Sequence, residues 1–165
     1  MMKAGDAWPD IAGRFTTEGH VLPVRIYYED TDFSGRVYHA SYLRFCERGR
    51  SELLRSAGLS HSELLEGAQE DSAIFFAVRR MEVDYLAPAG IDDLLEVRST
   101  FAALSGARLI IDQLVSRGST EIVRARVTVA ALAANGRPRR LPAALVAKLK
   151  PMPLTPATEK KTESG

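Results

Sequence analysis

The spacing of apolar and polar residues changes once in the first third of the chain. Around residues 22–30 the two kinds alternate, with Val24, Ile26 and Tyr28 on one side, which is typical of a strand. From about residue 40 the apolar and small residues recur at three- and four-residue steps, as on one face of a helix. They are Leu43, Cys46, Gly49 or Arg50, Leu53, Leu54 and Ala57, and Gly58 follows them as a left-handed C-cap would. The pattern predicts a strand followed by one long helix.

Four further strands are predicted later in the chain. The first, AIFFAVRRMEVDYL, changes phase near Arg79 and Arg80, which indicates a β-bulge. The others are DLLEVRSTF, GARLIIDQLVS and TEIVRARVTVAALA, and the turns between them are short enough to require antiparallel neighbours. Short helices are predicted at residues 60–67 and near 142–150. The fold class is therefore α+β, with a five-stranded antiparallel sheet against one long helix.

Composition and charge exclude several classes of protein. The 165 residues fit one domain, predicted over residues 21–150, with a flexible segment at 1–20 and a disordered tail at 151–165. Lys and Arg number 22 against 21 Asp and Glu, and no block of like charge points to a nucleic-acid partner. One cysteine, Cys46, and three scattered histidines predict no disulfide, no metal site and no cofactor. Without a long apolar run or a secretory signal, we expect a cytoplasmic protein with no stable membrane insertion.

The residues that can carry chemistry cluster where the predicted strand meets the predicted helix. The segment EDTDFSGRVYHA places Glu29, Asp30 and Asp32 just before the helix, and Gly35 lets the backbone turn or approach a ligand. A helix N-terminus presents unpaired N–H groups that stabilise a polarised carbonyl oxygen. A carboxylate of the same loop can attack that carbonyl or deprotonate a water that does. An acyl-transfer site fits these residues, and so does an Asp-rich turn that only caps the helix.

Two stretches of the chain resemble one known family. The first runs from YYEDTD through Gly35 and VYH to Tyr42, and ERGR follows on the helix. The second, VRRMEVDYLAPAGIDDLLEV, carries Tyr85, Asp92 and Asp93. Both are similar to acyl-CoA thioesterases of the hotdog fold, specifically the 4-hydroxybenzoyl-CoA thioesterase family and its Tol-Pal-associated (YbgC-type) branch. The resemblance implies a curved antiparallel sheet wrapped around one helix, and hydrolysis of acyl-CoA to a free acid and CoA.

The resemblance also implies roles for individual residues. Asp32 matches the catalytic carboxylate of the family, and His39 matches the position whose backbone N–H polarises the thioester carbonyl at the helix start. Tyr38, Gly35 and Glu29 are expected to support the substrate site. No cofactor is implied, because CoA enters only as part of the substrate.

Two other carboxylates compete for a role. Another hotdog branch uses a carboxylate on the helix, and Glu47 is predicted to be helical, but we favour an ion pair with Arg48 or Arg50 as its role. Asp30 is expected to point away from the site, because alternate residues of an extended segment face opposite sides. Asp32 is thus the first candidate.

Three positions depart from the family pattern. Arg36 stands where an apolar residue is usual, Ser34 where glycine is common, and Gly90 where a basic residue often follows Pro-Ala. The first two positions bear on the acyl pocket or its mouth, and the third weakens a contact to the CoA phosphates. Arg79 and Arg80 are candidates to replace that contact, or are ordinary solvated arginines of a strand.

The family resemblance implies an assembly as well. Two sheets would pair at their bare edges into a homodimer, and dimers into a homotetramer. Strand residues near 78–85 of one chain, including Val78 and Arg79, would then line the site formed by Asp32 and His39 of the other. Two further classes stay open: a hotdog dehydratase acting on acyl thioesters, and a non-catalytic acyl-CoA-binding or scaffold protein.

Overall fold

The computed structural model describes residues 11–59, 64 and 73–149. Its strands are β1 (Arg14–Thr16), β2 (Gly19–Arg25), β3 (Phe75–Tyr85), β4 (Leu94–Ser105), β5 (Arg108–Arg117) and β6 (Thr120–Leu132). Its helices are α1 (His39–Ser56) and α2 (Ala143–Leu149), and one 3-10 turn spans Tyr28–Asp30. The predicted α+β class is confirmed. The predicted helix at 60–67 lies outside the described residues apart from Leu64.

The strands form one antiparallel sheet in the order β1-β2-β4-β5-β6-β3. The sheet has six strands rather than the predicted five, because β1 forms a short hairpin with β2 inside the segment expected to be flexible. All three residues of β1 are exposed, so this strand lacks the alternation of apolar and polar residues that would predict it. The hairpin closes through the Thr16 hydroxyl, which donates to the Gly19 carbonyl at 2.9 Å.

Helix α1 packs across the face of the sheet formed by β2 and β4. Of the predicted apolar face, Cys46, Gly49, Leu53 and Leu54 are buried. Leu43 is exposed, and Phe45 is buried although it was not predicted to lie on that face. The first half of the helix joins a core cluster with β2 and β4, and the second half joins one with β5, β6 and α2. The helix start is thereby fixed against the sheet, next to the segment that holds the candidate residues.

Two local features of the strands bear on the site. β2 ends at Arg25 instead of continuing to residue 30, because the Asp30 carboxylate accepts the Tyr27 N–H at 2.9 Å and folds the chain into the 3-10 turn. Tyr28 is consequently 84% exposed and does not share a buried side with Val24. The predicted bulge in β3 is confirmed by a register shift between Val78 and Arg80.

Candidate active site

A tight turn presents Asp32 ahead of helix α1. Thr31 and Val37 form an antiparallel bridge at its base. Between them the Asp32 N–H donates to the Arg36 carbonyl at 2.9 Å, and the Gly35 N–H donates to the Asp32 carbonyl at 3.0 Å. Gly35 has a φ of 76°, a conformation that side-chain-bearing residues rarely adopt. Backbone bonds and one glycine therefore fix the position of Asp32.

The Asp32 carboxylate is exposed and is held by one of its two oxygens. Its Oδ1 accepts from the Ser34 hydroxyl at 2.6 Å and from the Ser34 N–H at 2.8 Å. These two bonds, and then electrostatic interactions with His39 and Arg36, lower the pKa of Asp32 from its usual value. No hydrogen bond between described residues involves Oδ2. The turn thus offers an ionised carboxylate with one oxygen available for reaction.

Helix α1 begins directly after the turn with an open N-terminus. Tyr38 is the N-cap, and its side chain makes no capping hydrogen bond. Its N–H donates to the Asp30 carbonyl at 2.9 Å. Within the described part of the chain, the N–H groups of His39 and Ala40 have no hydrogen-bond acceptor. They carry the positive end of the helix dipole and can bind a carbonyl oxygen or an anion.

Tyr85, from the end of β3, connects the second motif block to the helix start. Its hydroxyl donates to the His39 carbonyl at 3.2 Å, and the ring centroids of these two residues are 6.2 Å apart. The His39 ring is exposed, and its centroid lies 4.5 Å from that of Tyr38. An aromatic wall of Tyr38, His39 and Tyr85 therefore borders the open N–H groups.

The loop after β3 supports the turn from the other side. Arg36 pairs with Gly90 in an antiparallel bridge, so an arginine stands directly opposite the position where the family resemblance predicts a basic residue. Asp93 holds this loop by accepting the Gly90 N–H at 2.9 Å and the Arg117 guanidinium at 2.5 Å. Both interactions lower the pKa of Asp93, the Gly90 bond first. Sequence reasoning missed Arg117, because only the pairing of β5 brings it to this loop.

The other two acids of the segment differ from Asp32. Asp30 is only 6% exposed and serves the 3-10 turn through its bond with Tyr27. The segment is a turn and not the alternating strand on which its predicted orientation was based. Glu29 is exposed, and no hydrogen bond or ion pair described for this region involves it. Its supporting role stays a prediction.

The helix carboxylate Glu47 has a local partner. The Ser51 hydroxyl donates to it at 2.7 Å, and the expected ion pair with Arg48 or Arg50 is absent from the described residues. Arg50 instead donates to the side-chain carbonyl of Gln113 at 2.9 Å, because the helix turns this arginine toward β5. The predicted Glu47 ion pair is therefore wrong.

Val78 and Arg79 do not join Asp32 within one chain. Val78 is 51% exposed and lines an open groove of about 130 Å³ with Glu47 and Arg50. Those helix residues lie roughly 12–16 Å along the helix axis from His39, at about 1.5 Å of rise per residue. Arg79 is exposed at the bulge. Their predicted role at the site depends on a second chain.

Two classes of site receive no support in the described residues. Across residues 11–59, 64 and 73–149, no group of three or more His, Cys, Asp or Glu side chains is arranged to hold a metal ion. In the same part of the chain, no helix has the length and apolar character needed to cross a membrane.

Known proteins place the chain in a family. The Thioesterase superfamily profile matches residues 34–124. The acyl-CoA thioester hydrolase YbgC of Escherichia coli O6:H1 is 41% identical over 130 residues, which cover 78% of this chain and 93% of that protein. The chain belongs to the thioesterase superfamily. The acyl-CoA thioesterase YbgC of Haemophilus influenzae is also 41% identical, over 68% of this chain and 79% of the relative. The family suggested by the two motif blocks is confirmed.

Solved structures agree with this thioesterase assignment. A probable thioesterase from Bartonella henselae superposes with a TM-score of 0.71 at 45% identity, covering 74% of this chain and 98% of that one. A thioesterase from Thermus thermophilus, complexed with coenzyme A and Zn, gives a TM-score of 0.66 at 28% identity, over 79% and 91% of the two chains. The predicted hotdog fold is confirmed. The superfamily match begins at Ser34, so the assignment of Asp32 depends on the geometry of the turn.

Proposed function

We propose that this thioesterase hydrolyses acyl-CoA thioesters to a free acid and CoA, with Asp32 as the reacting carboxylate. The observation that carries the proposal is an ionised carboxylate with one unbonded oxygen. It lies on a turn with a left-handed glycine, and this turn precedes a helix that has no side-chain cap. The YbgC relatives are named for hydrolysis of acyl-CoA, and 41% identity over most of the chain supports the same substrate class here.

The reaction divides between the helix start and the turn. The N–H groups of His39 and Ala40 donate to the thioester carbonyl oxygen and stabilise the negative charge that develops on it. Asp32 either adds to the carbonyl carbon, giving an anhydride that water then hydrolyses, or takes a proton from the water that attacks. In both routes the carbon–sulfur bond breaks, CoA departs as a thiol after gaining a proton, and the acyl group departs as an acid. The His39 imidazole assists these proton transfers.

Neighbouring residues of the same chain shape the proposed substrate site. Gly35 sets the turn, and the exposed ring of Tyr38 gives the thioester an apolar wall against His39. Glu29 stands on the preceding 3-10 turn, where it flanks the mouth of the site. Each of these three residues contributes by position, and Asp32 alone supplies the reacting oxygen.

The remaining wall is proposed to come from a second copy of the chain. β3 is an edge strand that pairs with β6 in the described sheet, so one side of it keeps its N–H and C=O groups unpaired. Two such edges joined across a two-fold axis give a homodimer, and dimers can assemble into a homotetramer. Val78 and Arg79 of the partner subunit then line the pocket of Asp32. Tyr85 supports this arrangement, because it lies on β3 and already contacts the helix start. The expected compartment is the cytoplasm.

A dilution series tests the shared site. We expect specific activity to fall as the dimer dissociates, because a monomer lacks half of the pocket wall. Light scattering and turnover are measured on the same samples. A monomeric species with the full specific activity of the dimer contradicts the arrangement.

Replacement of Asp32 by Asn tests the reacting group. The amide keeps the size of the side chain and removes its charge, so turnover of acyl-CoA should fall by about two orders of magnitude or more while the protein stays folded. Glu47→Gln is the matched control, because it makes the same change on the helix and should leave turnover close to wild type. Free thiol release is followed over short, long and aromatic acyl-CoA substrates. Near wild-type turnover in Asp32→Asn, with loss in Glu47→Gln, moves the chemistry to the helix.

A further inference from the structure

We propose that Ser34 is a positioning residue for Asp32, which fixes one carboxylate oxygen so that the other faces the substrate. The inference rests on the proposed function, because it concerns the reacting carboxylate. It gives a role to a residue that departs from the family pattern, where glycine is common. Ser34 touches Asp32 and is assigned no contact with the reacting atoms.

The geometry divides the two oxygens of Asp32 between two tasks. Oδ1 accepts both the hydroxyl and the backbone N–H of Ser34, at 2.6 and 2.8 Å. Two donors on one oxygen fix the rotation of the carboxylate plane about the bond that joins it to the side chain, since turning the plane breaks both bonds together. Oδ2 is left for the thioester carbon or the attacking water. A glycine at position 34 would retain the N–H donor and lose the hydroxyl.

Because Asp32 is exposed, its carboxylate needs the Ser34 hydrogen bonds to keep one orientation. The side chain stands at the tip of a turn, where water competes for both oxygens and free rotation would spread the reactive lone pair over many directions. The hydroxyl donor is covalently attached two residues away, so it holds the carboxylate at little entropic expense. Because it donates to the charged form, it also favours ionisation of Asp32.

Ser34→Ala and Ser34→Thr test the role of the hydroxyl. Ser34 is not among the residues with positive φ, so both substitutions fit the backbone. In Ser34→Ala we expect kcat on the high-pH plateau to fall about three- to tenfold, because the carboxylate is less well aligned. The acid limb of the pH profile should move to higher pH, since removal of a donor to the carboxylate raises its pKa. Ser34→Thr, which restores a hydroxyl, should return both quantities toward wild type.

A double-mutant cycle with Asp32→Asn separates this role from a general effect on the protein. If Ser34 acts through the carboxylate, Ser34→Ala should have no further effect on the residual turnover of Asp32→Asn. Ser105→Ala, at an exposed serine at the end of β4, is the control and should match wild type. Thermal denaturation checks that every variant is folded.

The outcomes distinguish the two proposals. A wild-type plateau and an unmoved acid limb in Ser34→Ala overturn the positioning role, even when Asp32→Asn is inactive. An equal loss from Ser34→Ala with and without the Asp32 carboxylate also overturns it. High turnover in Asp32→Asn, in contrast, removes the proposed function itself.

Discussion

The turn at residues 31–37 and the region under the middle of helix α1 both contain hydrogen-bonded polar groups. The partners are local in sequence in the turn and distant in sequence under the helix. In the turn, the exposed Asp32 takes its partners from Ser34 and from backbone groups within four residues of it. Under the helix, the buried amide of Gln113 donates to the Cys46 carbonyl at 2.9 Å and to the Ser99 hydroxyl at 2.8 Å. These partners are 67 and 14 residues away in sequence.

The two regions also need their glycines for different reasons, one local and one that depends on distant residues. Gly35 has a φ of 76° and no atom within 4 Å of the place where a Cβ would stand. Gly49 is helical, and a Cβ there would lie 2.8 Å from the Val97 side chain and 3.2 Å from Gln113. Backbone conformation therefore demands the first glycine, and lack of space demands the second. The reactive segment depends on local conformation, whereas the scaffold depends on packing between distant segments.

Gly35→Val should disrupt the turn. Its effect should be larger than those of Gln113→Leu and Gly49→Ala, which alter the packing under helix α1. A β-branched residue is strained at positive φ, so the turn should shift, and a displacement of the reacting groups by about 1 Å can lower the rate roughly a hundredfold. We expect turnover to fall by about that factor, with a smaller loss of stability. Activity per folded molecule is measured alongside thermal unfolding.

Gly35→Asn is the control for this prediction. Asparagine tolerates the left-handed conformation, and the open space around the site accepts its side chain. It should retain most of the turnover. Equal activity in Gly35→Val and wild type shows that the turn does not align the reacting groups.

The contrast also explains which features were predictable from the sequence. Local signals were sufficient for the long helix, for Gly58 as the left-handed residue that follows its C-cap, and for the bulge near Arg79. Asp32, Gly35 and His39 could be proposed as site residues because one short motif contains them all. β1 was missed because its three residues are exposed and show no alternation.

Contacts between residues that are far apart in sequence could not be predicted from the local pattern of apolar and polar residues. Arg117 reaches Asp93 only once β5 is in register with β4. Gln113 of β5 is buried, and its amide bonds the Cys46 carbonyl of α1 and the Ser99 hydroxyl of β4. The expected ion pair of Glu47 failed for the same reason, since Arg50 has a distant partner in Gln113.

Gln113→Leu should remove the hydrogen bonds of the Gln113 side chain under helix α1 and leave the turn at residues 31–37 intact. The change leaves the Arg50 guanidinium and the Ser99 hydroxyl without the amide that bonds them in the interior. Removing a partner from buried polar groups costs about 1–3 kcal/mol each, so the free energy of unfolding should fall by about 2–4 kcal/mol. Turnover per folded molecule should stay close to wild type. Urea unfolding and activity assays check the two expectations.

Gln113→Glu sharpens this test by changing one end of the amide. It keeps an acceptor for Arg50 and removes the NH2 donor that serves Cys46 and Ser99. If both ends of the amide contribute, the free energy of unfolding of Gln113→Glu should lie between those of wild type and Gln113→Leu. Unchanged unfolding in Gln113→Leu means that water replaces the amide and that the network adds nothing to stability.

Gly49→Ala should have the smallest effect, and its sign is the informative result. Alanine in a helix interior normally stabilises it by about 1 kcal/mol relative to glycine. Here the new Cβ lies 2.8 Å from Val97 Cγ1, and overpacking of this kind costs about 1–3 kcal/mol. We expect a net destabilisation of about 1 kcal/mol, measured by urea unfolding. Repeating the change in a Val97→Ala background removes the closest contact and leaves those at 3.2 Å to Gln113 and Ser99, so the same alanine should then be less destabilising. Stabilisation by Gly49→Ala in the unaltered chain shows that the helix can move away from β4, and the packing argument for this glycine is then wrong.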